Sequence, residues 1–283
     1  MHAGGDYIKK IAVANDLSGF GRCSLTAAIP IISASGVQCC PLVTGVFSNQ
    51  TDYPDFYGED LTDYMTPCIS KWKEMNFSFD GILTGYIANS RQGEILCNFI
   101  DDFEKEDTVI VVDPVMGDDG EAYKGFGEKR KAAIHSLVKK AHIITPNLTE
   151  LCILAKEDYR SITALPEAEL LKKVEAMSRS LISDKLFAVV TTGIHSENKI
   201  TNCILEKGQF STVYIKNQGG RFSGTGDIFS SVIIAEYING SDVKSAVEKA
   251  SDFIYNAICE TVKDKDCDKN NGVYFEKILK DLG

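Results

Sequence analysis

The chain has 283 residues, 44% of them hydrophobic, and a formal net charge of −10. This length fits one large α/β domain or two small ones, and the hydrophobic fraction is enough for a substantial core. The acidic balance argues against a general nucleic-acid binder, because no basic field would neutralise the phosphates. A small anionic ligand is still allowed, since a helix N-terminus and a metal ion can hold phosphate inside an acidic protein.

Targeting and redox signals are the next constraint. The first ten residues, MHAGGDYIKK, lack an apolar signal region, and the apolar runs are too short to span a bilayer. Nine cysteines are present, an odd number without a CxxC pair, which favours reduced thiols. We therefore expect a cytoplasmic chain with no membrane partner and no nucleic-acid partner.

Short β-branched runs alternate with longer amphipathic segments along the chain. In chain order the pattern predicts strand 10–15, helix 21–36, strand 37–48, helix 61–75, strand 80–86, helix 90–105, strand 108–114, helix 128–141, strand 142–147 and helix 148–155. It then predicts helix 166–183, strand 185–193, a hairpin over 199–217 that turns near Lys207-Gly208, and helices near 225–239, 241–263 and 272–282. Ser90 is the expected N-cap of its helix, and Pro67 is a candidate to kink or break the helix over 61–75.

Alternating strands and helices with nearly all-apolar strands indicate an α/β fold. We predict a three-layer α/β/α arrangement with a central, mostly parallel sheet. The chain shows no internal repeat or linker, so a single domain over 1–283 is expected. Ligands of such sheets bind beyond the carboxyl ends of the strands. That rule selects the segments NDLSGFG, GVFSNQT, TGY, DPVMGDDG, TPNLTE, TTG and GTGD.

The stretch RFSGTGDIFSS places Gly224, Thr225, Gly226 and Asp227 at the start of a predicted helix. Glycines let backbone N–H groups approach a ligand closely, and a first helical turn offers unpaired donors at the positive end of the dipole. Together they form an anion hole. An aspartate there would repel phosphate, but it can accept a proton from a hydroxyl that attacks a phosphoryl group. A plain helix cap with a glycine turn would explain the same residues without a ligand.

Acidic and amide side chains follow two of the predicted strands. Asp113 ends the strand in DPVMGDDG, with Asp118 and Asp119 just behind it, and Asn147 and Glu150 follow the strand in TPNLTE. Such a set suits Mg²⁺, which takes few protein ligands and completes its shell with waters and phosphate oxygens. Alternatively, Asn147 and Glu150 form a capping-box pair at the start of the next helix.

The motifs DPVMGD, ITPNLTE, TTG and SGTGD, in this order and at these spacings, resemble the ribokinase-like superfamily of small-molecule kinases. Within it, GVFSNQT followed by ILTGY resembles the pyridoxal kinases of vitamin B6 salvage. The resemblance covers nearly the whole chain, from Ile11 to the last helices. It implies a sheet flanked by helices without a separate lid domain, a homodimer, and Mg²⁺ with ATP. Whether a monovalent cation such as K⁺ is also required is left open.

The resemblance also implies a role for each matching position. Asp227 would be the catalytic base, with Gly224, Thr225 and Gly226 as its anion hole. Asp113, Asn147 and Thr192 would lie near the nucleotide, and Glu150 and Asp113 near the metal. The substrate pocket would contain Val46, Phe47, Thr51 and Tyr86, together with Asp16 from the first loop. For Val46, Phe47 and Tyr86, ordinary core packing is the alternative.

The first loop departs from the best-known pyridoxal kinases, which carry a serine where this chain has Asp16. NDLSGFG is more similar to the SDSSGGAG loop of hydroxymethylpyrimidine kinases, and Gln50 replaces a histidine of the FSNHT segment. An ionised Asp16 accepts hydrogen bonds but donates none, so it suits an acceptor with a ring or amine donor, unless it only caps its turn.

Three functions are open at this point. The first is ATP-dependent phosphorylation of the 5′-hydroxymethyl group of pyridoxal, pyridoxine or pyridoxamine. The second is hydroxymethylpyrimidine kinase activity with the same mechanism. The third is a non-catalytic nucleotide- or vitamer-binding protein, against which the intact Gly-Thr-Gly-Asp sequence argues. A sugar kinase is disfavoured because no inserted lid segment follows the first strand.

Overall fold

The computed structural model describes residues 7–123 and 125–283 of the chain. Its strands are β1 (Lys10–Ser18), β2 (Gln38–Phe47), β3 (Gly58–Asp60), β4 (Gly81–Thr84), β5 (Val109–Val112), β6 (Gly117–Asp118), β7 (Glu121–Ala122), β8 (Ile143–Ile144), β9 (Ala188–His195), β10 (Lys199–Glu206) and β11 (Gln209–Lys216). Its α-helices are α1 (Ser24–Ala34), α2 (Thr62–Glu74), α3 (Ser90–Phe103), α4 (Glu128–Val138), α5 (Leu148–Ala155), α6 (Tyr159–Thr163), α7 (Glu167–Leu181), α8 (Thr225–Ile238) and α9 (Val243–Thr261). Short 3₁₀ helices cover Lys269–Asn271 and Glu276–Leu282.

Nine strands form one sheet in the order β11-β10-β9-β8-β5-β4-β1-β2-β3. The six strands from β9 to β2 are parallel, whereas β10, β11 and β3 join antiparallel at the edges. The predicted mostly parallel sheet is therefore confirmed. Because parallel strands end at the same edge, the segments that follow β1, β2, β4, β5, β8 and β9 meet there.

The sheet has a hydrophobic core on each face, as the near-continuous apolar strands require. Ile11 and Val13 of β1 point into one core, with α1, α8 and α9. Ala12 and Ala14, at the alternate positions, point into the other core, with α2, α3, α4, α5 and α7. The three-layer α/β/α arrangement is thus confirmed, and the described residues form no separate lid domain.

Several local predictions need correction. Asn89, not Ser90, is the N-cap of α3, and its side chain accepts a hydrogen bond from the Gln92 amide at 3.1 Å. Adjacent Asn and Ser are both good caps, so residue type alone cannot choose between them. Pro67 lies inside α2 without ending it. The segment predicted as strand 142–147 forms a strand over Ile143–Ile144 only, with an isolated β-bridge at Asn147. The last helix is a 3₁₀ helix that begins at Glu276.

The short elements β3, α6 and the β6–β7 hairpin were not predicted. The hairpin of β10 and β11 was predicted from the sequence, and the structure confirms it. Its turn residues Lys207 and Gly208 both have positive φ, at 49° and 80°. That geometry is typical of a two-residue hairpin turn. Over the described ranges, none of the helices combines the length and the apolar character needed to cross a membrane.

Candidate active site

The N-terminus of α8 lies at the edge where the parallel strands end. Gly224 precedes the helix with φ 76°, and a Cβ placed there would lie 1.9 Å from the carbonyl oxygen of Arg22. Only glycine satisfies both the left-handed backbone and this close approach. The Ile228 amide bonds the Gly224 carbonyl at 3.1 Å and opens the helical ladder. The amides before Ile228 therefore belong to the first turn, where helix N–H groups are available to an anion.

Asp227 lies in this first turn, and Asn15 of β1 holds its side chain. The Asn15 Nδ2 donates to Asp227 Oδ1 at 2.9 Å. The Asn15 Oδ1 accepts from the amides of Asp16 and Tyr86, both at 3.0 Å, which fixes the orientation of the side-chain amide. Gly85 is needed beside it, because a Cβ there would lie 2.6 Å from Nδ2. Sequence reasoning did not name Asn15 as a site residue, although a polar residue at the end of the predicted apolar strand 10–15 was a signal.

The electrostatics of Asp227 suit a proton acceptor. Burial raises the pKa of Asp227 to about 6, and the negative charge of Asp16 adds to the rise. Hydrogen bonds from the Ser24 amide and from Asn15 act in the opposite direction. A carboxyl with a pKa close to neutral is an efficient general base near physiological pH.

Asp16 is buried, with 5% of its surface exposed. Its Oδ1 accepts from the Ser24 hydroxyl at 2.7 Å, and its Oδ2 accepts from the Ser18 hydroxyl at 2.9 Å. Burial raises its pKa. These contacts tie the C-terminal part of β1 to the start of α1. The predicted role of Asp16 in recognising the acceptor stays a prediction.

Three aromatic side chains, those of Phe47, Phe56 and Tyr86, form an aromatic wall beside the carboxylates. The rings of Phe47 and Tyr86 meet edge to face at 5.7 Å, and Phe56 adds a second edge-to-face contact with Phe47 at 5.6 Å. Val46 is 41% exposed and precedes Phe47 on the strand, where successive side chains point to opposite faces. Thr51 is exposed on the following loop. The structure thus brings Phe47 and Tyr86 together, while the roles of Val46 and Thr51 stay predictions.

Arg130 of α4 lies against this wall and was not predicted. Its guanidinium carbon is 4.8 Å from the ring centroid of Tyr86 and 5.4 Å from that of Phe126. The residue is 8% exposed, and its Nε and Nη2 have no hydrogen-bond partner among the described residues. Cation–π contacts therefore hold much of this side chain in place. A basic residue in a helix 44 positions after Tyr86 gave no sequence signal for this contact.

Asn147 and Glu150 form the capping box at the start of α5. The Asn147 Oδ1 accepts from the Glu150 amide at 2.9 Å, and Glu150 Oε2 accepts from the Asn147 amide at 2.9 Å. Glu150 Oε1 also accepts from the Met116 amide at 3.0 Å, and Asn147 Nδ2 donates to the Gly117 carbonyl at 2.8 Å. The capping box, which the sequence offered as the alternative to a metal site, is therefore present. The pair also holds the segment after β5 in place.

Asp113 directly follows β5, and Thr192 lies within β9. A Cβ on Gly226 would lie 3.8 Å from Asp113 Oδ2, so this carboxylate lies close to the N-terminus of α8. Burial and the charge of Asp227 raise the pKa of Asp113. The Thr192 amide bonds the Pro146 carbonyl at 2.9 Å, next to a β-bridge between Thr192 and Asn147. The nucleotide-binding roles of Asp113 and Thr192 stay predictions.

Burial raises the pKa of Glu150 well above its ordinary range, and the charge of Asp113 adds to the rise. An ionised Asp113 therefore disfavours ionisation of Glu150. Among residues 7–123 and 125–283, no three His, Cys, Asp or Glu side chains come together as a complete metal cage.

Tyr123 and Asp52 are further residues of this edge that sequence reasoning missed. Partial burial raises the pKa of Tyr123, and the negative charges of Glu150 and Asp118 add to the rise. Asp52 Oδ2 accepts from Gln50 Nε2 at 2.6 Å and from the Ser223 hydroxyl at 2.9 Å. The loop after β2 is thereby linked to the turn before α8. Gln50, which replaces the histidine of FSNHT, provides part of that link.

Comparison with known proteins places this site in a family. A family model described as phosphomethylpyrimidine kinase matches residues 25–272. A protein from Bacteroides thetaiotaomicron named as a phosphomethylpyrimidine kinase, in a crystal form with pyridoxal, has the same fold, with a TM-score of 0.91 and 37% identity over 98% of this chain and 96% of that chain.

Two further relatives carry the pyridoxal kinase name. Pyridoxal kinase from Lactobacillus plantarum gives a TM-score of 0.86 at 26% identity, over 98% of this chain and 97% of that one. The pyridoxine/pyridoxal/pyridoxamine kinase of Bordetella avium is 24% identical over 252 residues, which cover 86% of this chain and 82% of that protein. The resemblance to the pyridoxal kinases read from the sequence is confirmed, and the chain belongs to the phosphomethylpyrimidine kinase family.

Proposed function

We propose that the protein phosphorylates the 5′-hydroxymethyl group of B6 vitamers with ATP. One observation supports this most directly: a single side chain, Asn15, joins the Asp227 carboxylate at the α8 N-terminus to the Tyr86 backbone of the aromatic wall. A flat heterocycle against Phe47 and Tyr86 would thus have its hydroxymethyl group near a base and an anion hole. The related protein with pyridoxal, at 37% identity, supports the same acceptor class.

The chemistry follows from the positions of these groups. The substrate hydroxyl gives its proton to Asp227 while its oxygen forms a bond to the γ-phosphorus of ATP. The bond between that phosphorus and the bridging oxygen breaks, and ADP leaves. The N–H groups of the first turn of α8 stabilise the charge that develops on the transferred phosphoryl oxygens. Gly224 and Gly226 carry no side chain, so the phosphoryl group can approach those N–H groups closely.

Mg²⁺ fits the acidic pair beside α8. Asp113 and Glu150 repel each other in a buried setting, and a divalent cation between them and the phosphates would offset that repulsion. Mg²⁺ is typically held by one or two carboxylates together with phosphate oxygens and waters. Bound there, it would neutralise charge on the transferring phosphoryl group. Each Glu150 oxygen already accepts one backbone N–H, so Glu150 would bind through a remaining lone pair or through water.

The second candidate is phosphorylation of a hydroxymethylpyrimidine by the same mechanism. The description of the matching family model and the NDLSGFG loop favour it. The two acceptors share the hydroxymethyl group and differ in the ring, which is a pyridine in one and a pyrimidine in the other. The reaction type is therefore common to both candidates, and only the wall around the ring distinguishes them.

ADP release against a panel of alcohols tests the proposal. The panel contains pyridoxal, pyridoxine, pyridoxamine, hydroxymethylpyrimidine and ribose, each with ATP and Mg²⁺. We expect turnover with the vitamers to exceed turnover with hydroxymethylpyrimidine and ribose. Preference for hydroxymethylpyrimidine would establish the second candidate. If no alcohol stimulates ADP release while ATP binds, the protein is a non-catalytic relative.

The remaining parts of the proposal concern the cell. All nine cysteines are free thiols, which supports a reducing compartment such as the cytoplasm. A homodimer and a monovalent cation such as K⁺ are implied by the family resemblance alone. Sedimentation of the purified protein and activity in K⁺ against Na⁺ buffers would test these two points.

A further inference from the structure

Arg221 lies three residues before Gly224, on the loop that leads into α8. Its Nη1 is 3.3 Å from Asp118 Oδ2, and the same nitrogen contacts Asp119 Oδ1. Asp118 belongs to β6 and Asp119 to the turn of the β6–β7 hairpin, which follows β5. The arginine therefore connects the hairpin to the loop of the anion hole, across the edge where the nucleotide is expected.

This edge of the protein is strongly acidic. It carries Asp52, Asp113, Asp118, Glu150 and Asp227, and the charge of Asp118 reaches Glu150 and Tyr123, whose pKa values it raises. ATP carries several negative charges of its own. Mg²⁺ can offset part of that repulsion, but a triphosphate in such surroundings also needs a protein cation.

Three basic residues of the described chain lie beside the turn before α8. Arg22 pairs with Glu276 of the last 3₁₀ helix, and Lys269 donates to the Gly219 carbonyl at 3.1 Å. Arg221 is the one of these three whose partners are carboxylates of the hairpin that follows β5. Its planar guanidinium can bind a phosphate with two parallel hydrogen bonds, as it binds a carboxylate.

The ion pair of Arg221 is suited to exchange. The side chains of Arg221, Asp118 and Asp119 are 41%, 49% and 64% exposed. Exposed pairs of this kind contribute little to stability, because water screens both charges. A phosphate oxygen with more negative charge can therefore replace a carboxylate at little cost.

We propose that Arg221 binds the ATP phosphates, and that it leaves Asp119 for a phosphate oxygen when the nucleotide enters. The hairpin carboxylates hold the guanidinium close to the anion hole until then. This assignment rests on the proposed use of ATP but not on the identity of the acceptor. Arg221 is a binding residue in this account, and Asp227 keeps the role of base.

Nucleotide affinity without acceptor tests the assignment, so vitamer preference does not enter. ATP and AMP dissociation constants are measured by calorimetry for the wild type, Arg221→Met, Arg221→Lys and Asp119→Asn. Arg221→Met should weaken ATP binding by about 10- to 100-fold, the range expected for lost charge-assisted hydrogen bonds, and leave AMP binding unchanged. The ATP affinity of Arg221→Lys should lie between those of the wild type and Arg221→Met, because lysine keeps the positive charge but cannot form the two parallel hydrogen bonds of a guanidinium.

Asp119→Asn is the matched variant from the other side of the pair. Asp119 has φ 52°, a left-handed conformation that asparagine also adopts, so the hairpin turn should persist. Freed from its competitor, Arg221 should bind ATP about two- to five-fold more tightly. In the double variant with Arg221→Met this gain should vanish. If the gain in ATP affinity persists in the double variant, Asp119 acts by repelling the nucleotide and not by competing for Arg221. That result would overturn the exchange of Arg221 from Asp119 to phosphate.

Other results would overturn the proposal directly. Unchanged ATP affinity in Arg221→Met would remove the phosphate contact. An equal loss of AMP and ATP affinity would show that Arg221 only shapes the loop. Weaker or unchanged ATP binding in Asp119→Asn would contradict the exchange. Melting temperatures of all variants show whether a loss of binding reflects a loss of folding, and the Asp119→Asn and Arg221→Lys results remain decisive if Arg221→Met fails to fold.

Discussion

Asp227 combines two properties that oppose each other in a folded protein. Its carboxylate must be ionised to accept a proton, yet its surroundings raise its pKa to about 6. Asn15 compensates in part by donating to Oδ1 at 2.9 Å. The same residue also accepts from the Tyr86 amide, so the position of the base depends on the position of the aromatic wall. A functional site that costs stability in this way is common in enzymes.

The raised pKa predicts how activity and stability vary with pH. Since the ionised form is the base, kcat/KM should fall about tenfold per unit as the pH drops well below 6. The stability of the fold varies with pH in the opposite direction to the activity. A carboxyl whose pKa is higher in the folded state contributes stability at low pH, and this contribution is lost as the pH rises through about 6.

Replacing Asp227 by Asn removes the charge, so the Asp227→Asn protein should melt higher than the wild type at neutral pH, by about 2–4 °C. The difference should shrink as the pH falls below about 6 and should disappear only well below the ordinary aspartate pKa of 3.8, where the wild-type carboxyl is protonated in both states. Melting curves of both proteins across this range provide the check. An equal difference at all pH values would contradict the pKa assigned to Asp227.

A substitution of Asp16 tests whether this residue contributes to recognition of the acceptor. If a lone pair of its carboxylate faces the acceptor, amine-bearing acceptors should be used at least as well as pyridoxal, and Asp16→Ser should shift preference toward pyridoxal. The contribution expected is that of one charge-assisted hydrogen bond, about 1.5–3 kcal/mol. Because Ser18 and Ser24 donate to both oxygens, Asp16→Ser should also lower the melting temperature. The kcat/KM ratio of pyridoxamine to pyridoxal separates the effects: a ratio equal to that of the wild type leaves Asp16 with a structural role only.

At the scale of single elements, α5 and α8 both place their N-termini at the active edge. The start of α5 is tied to Met116 and Gly117 through the capping box, so a helix cap and a candidate metal ligand share one side chain, Glu150. The two interpretations of the sequence are therefore compatible, and only a measurement on the metal can separate them.

Glu150→Gln should raise the Mg²⁺ concentration needed for half-maximal rate, with a smaller effect on the vitamer KM. The new amide can accept from one of its two backbone partners but must place a donor against the other, so a lower melting temperature is expected in addition. Mg²⁺ titrations at saturating ATP measure the first effect. A variant that melts lower but has wild-type Mg²⁺ dependence would limit Glu150 to its capping role.

The two glycines of α8 should respond differently to alanine. Gly224→Ala combines a positive φ with a contact of 1.9 Å, so we expect it to cost more than about 2 kcal/mol and to impair folding. At Gly226 the nearest atom to an added Cβ is Asp113 Oδ2 at 3.8 Å, and a helical alanine is favourable. Gly226→Ala should therefore fold at least as stably while kcat falls, because the methyl group narrows the anion hole. Normal turnover in Gly226→Ala would argue against phosphate binding there.

Some elements followed from the sequence and others could not. Residues 108–114 and 185–193 were predicted as strands because a buried parallel strand is a continuous apolar run, and β5 and β9 lie within or across these segments. The β6–β7 hairpin has two residues in each strand, too few for any periodicity. The choice between Asn89 and Ser90 as N-cap depends on backbone geometry, which residue types leave open.

For the whole molecule, the rule that ligands lie beyond parallel strand ends brought most of the candidate site residues to one edge. It selected Asp227, Asp113, Asn147 and Glu150 because each follows or faces a strand end, and their functional roles stay predictions. It could not find Arg130, because α4 brings that residue to Tyr86 through tertiary packing alone. Tyr123 and Arg221 likewise reach the edge from a hairpin and a loop whose folding has no sequence signature.

The central claim is that Asp227 takes the proton of a hydroxymethyl group in a phosphoryl transfer. Single-turnover phosphorylation of pyridoxal by Asp227→Asn, measured beside its ATP dissociation constant, tests that claim most directly. We predict a rate loss of about 10²–10⁴, the range of general base assistance, with ATP binding unchanged or tighter because one negative charge is gone. A well-folded Asp227→Asn protein that phosphorylates pyridoxal at a rate close to that of the wild type would contradict the account.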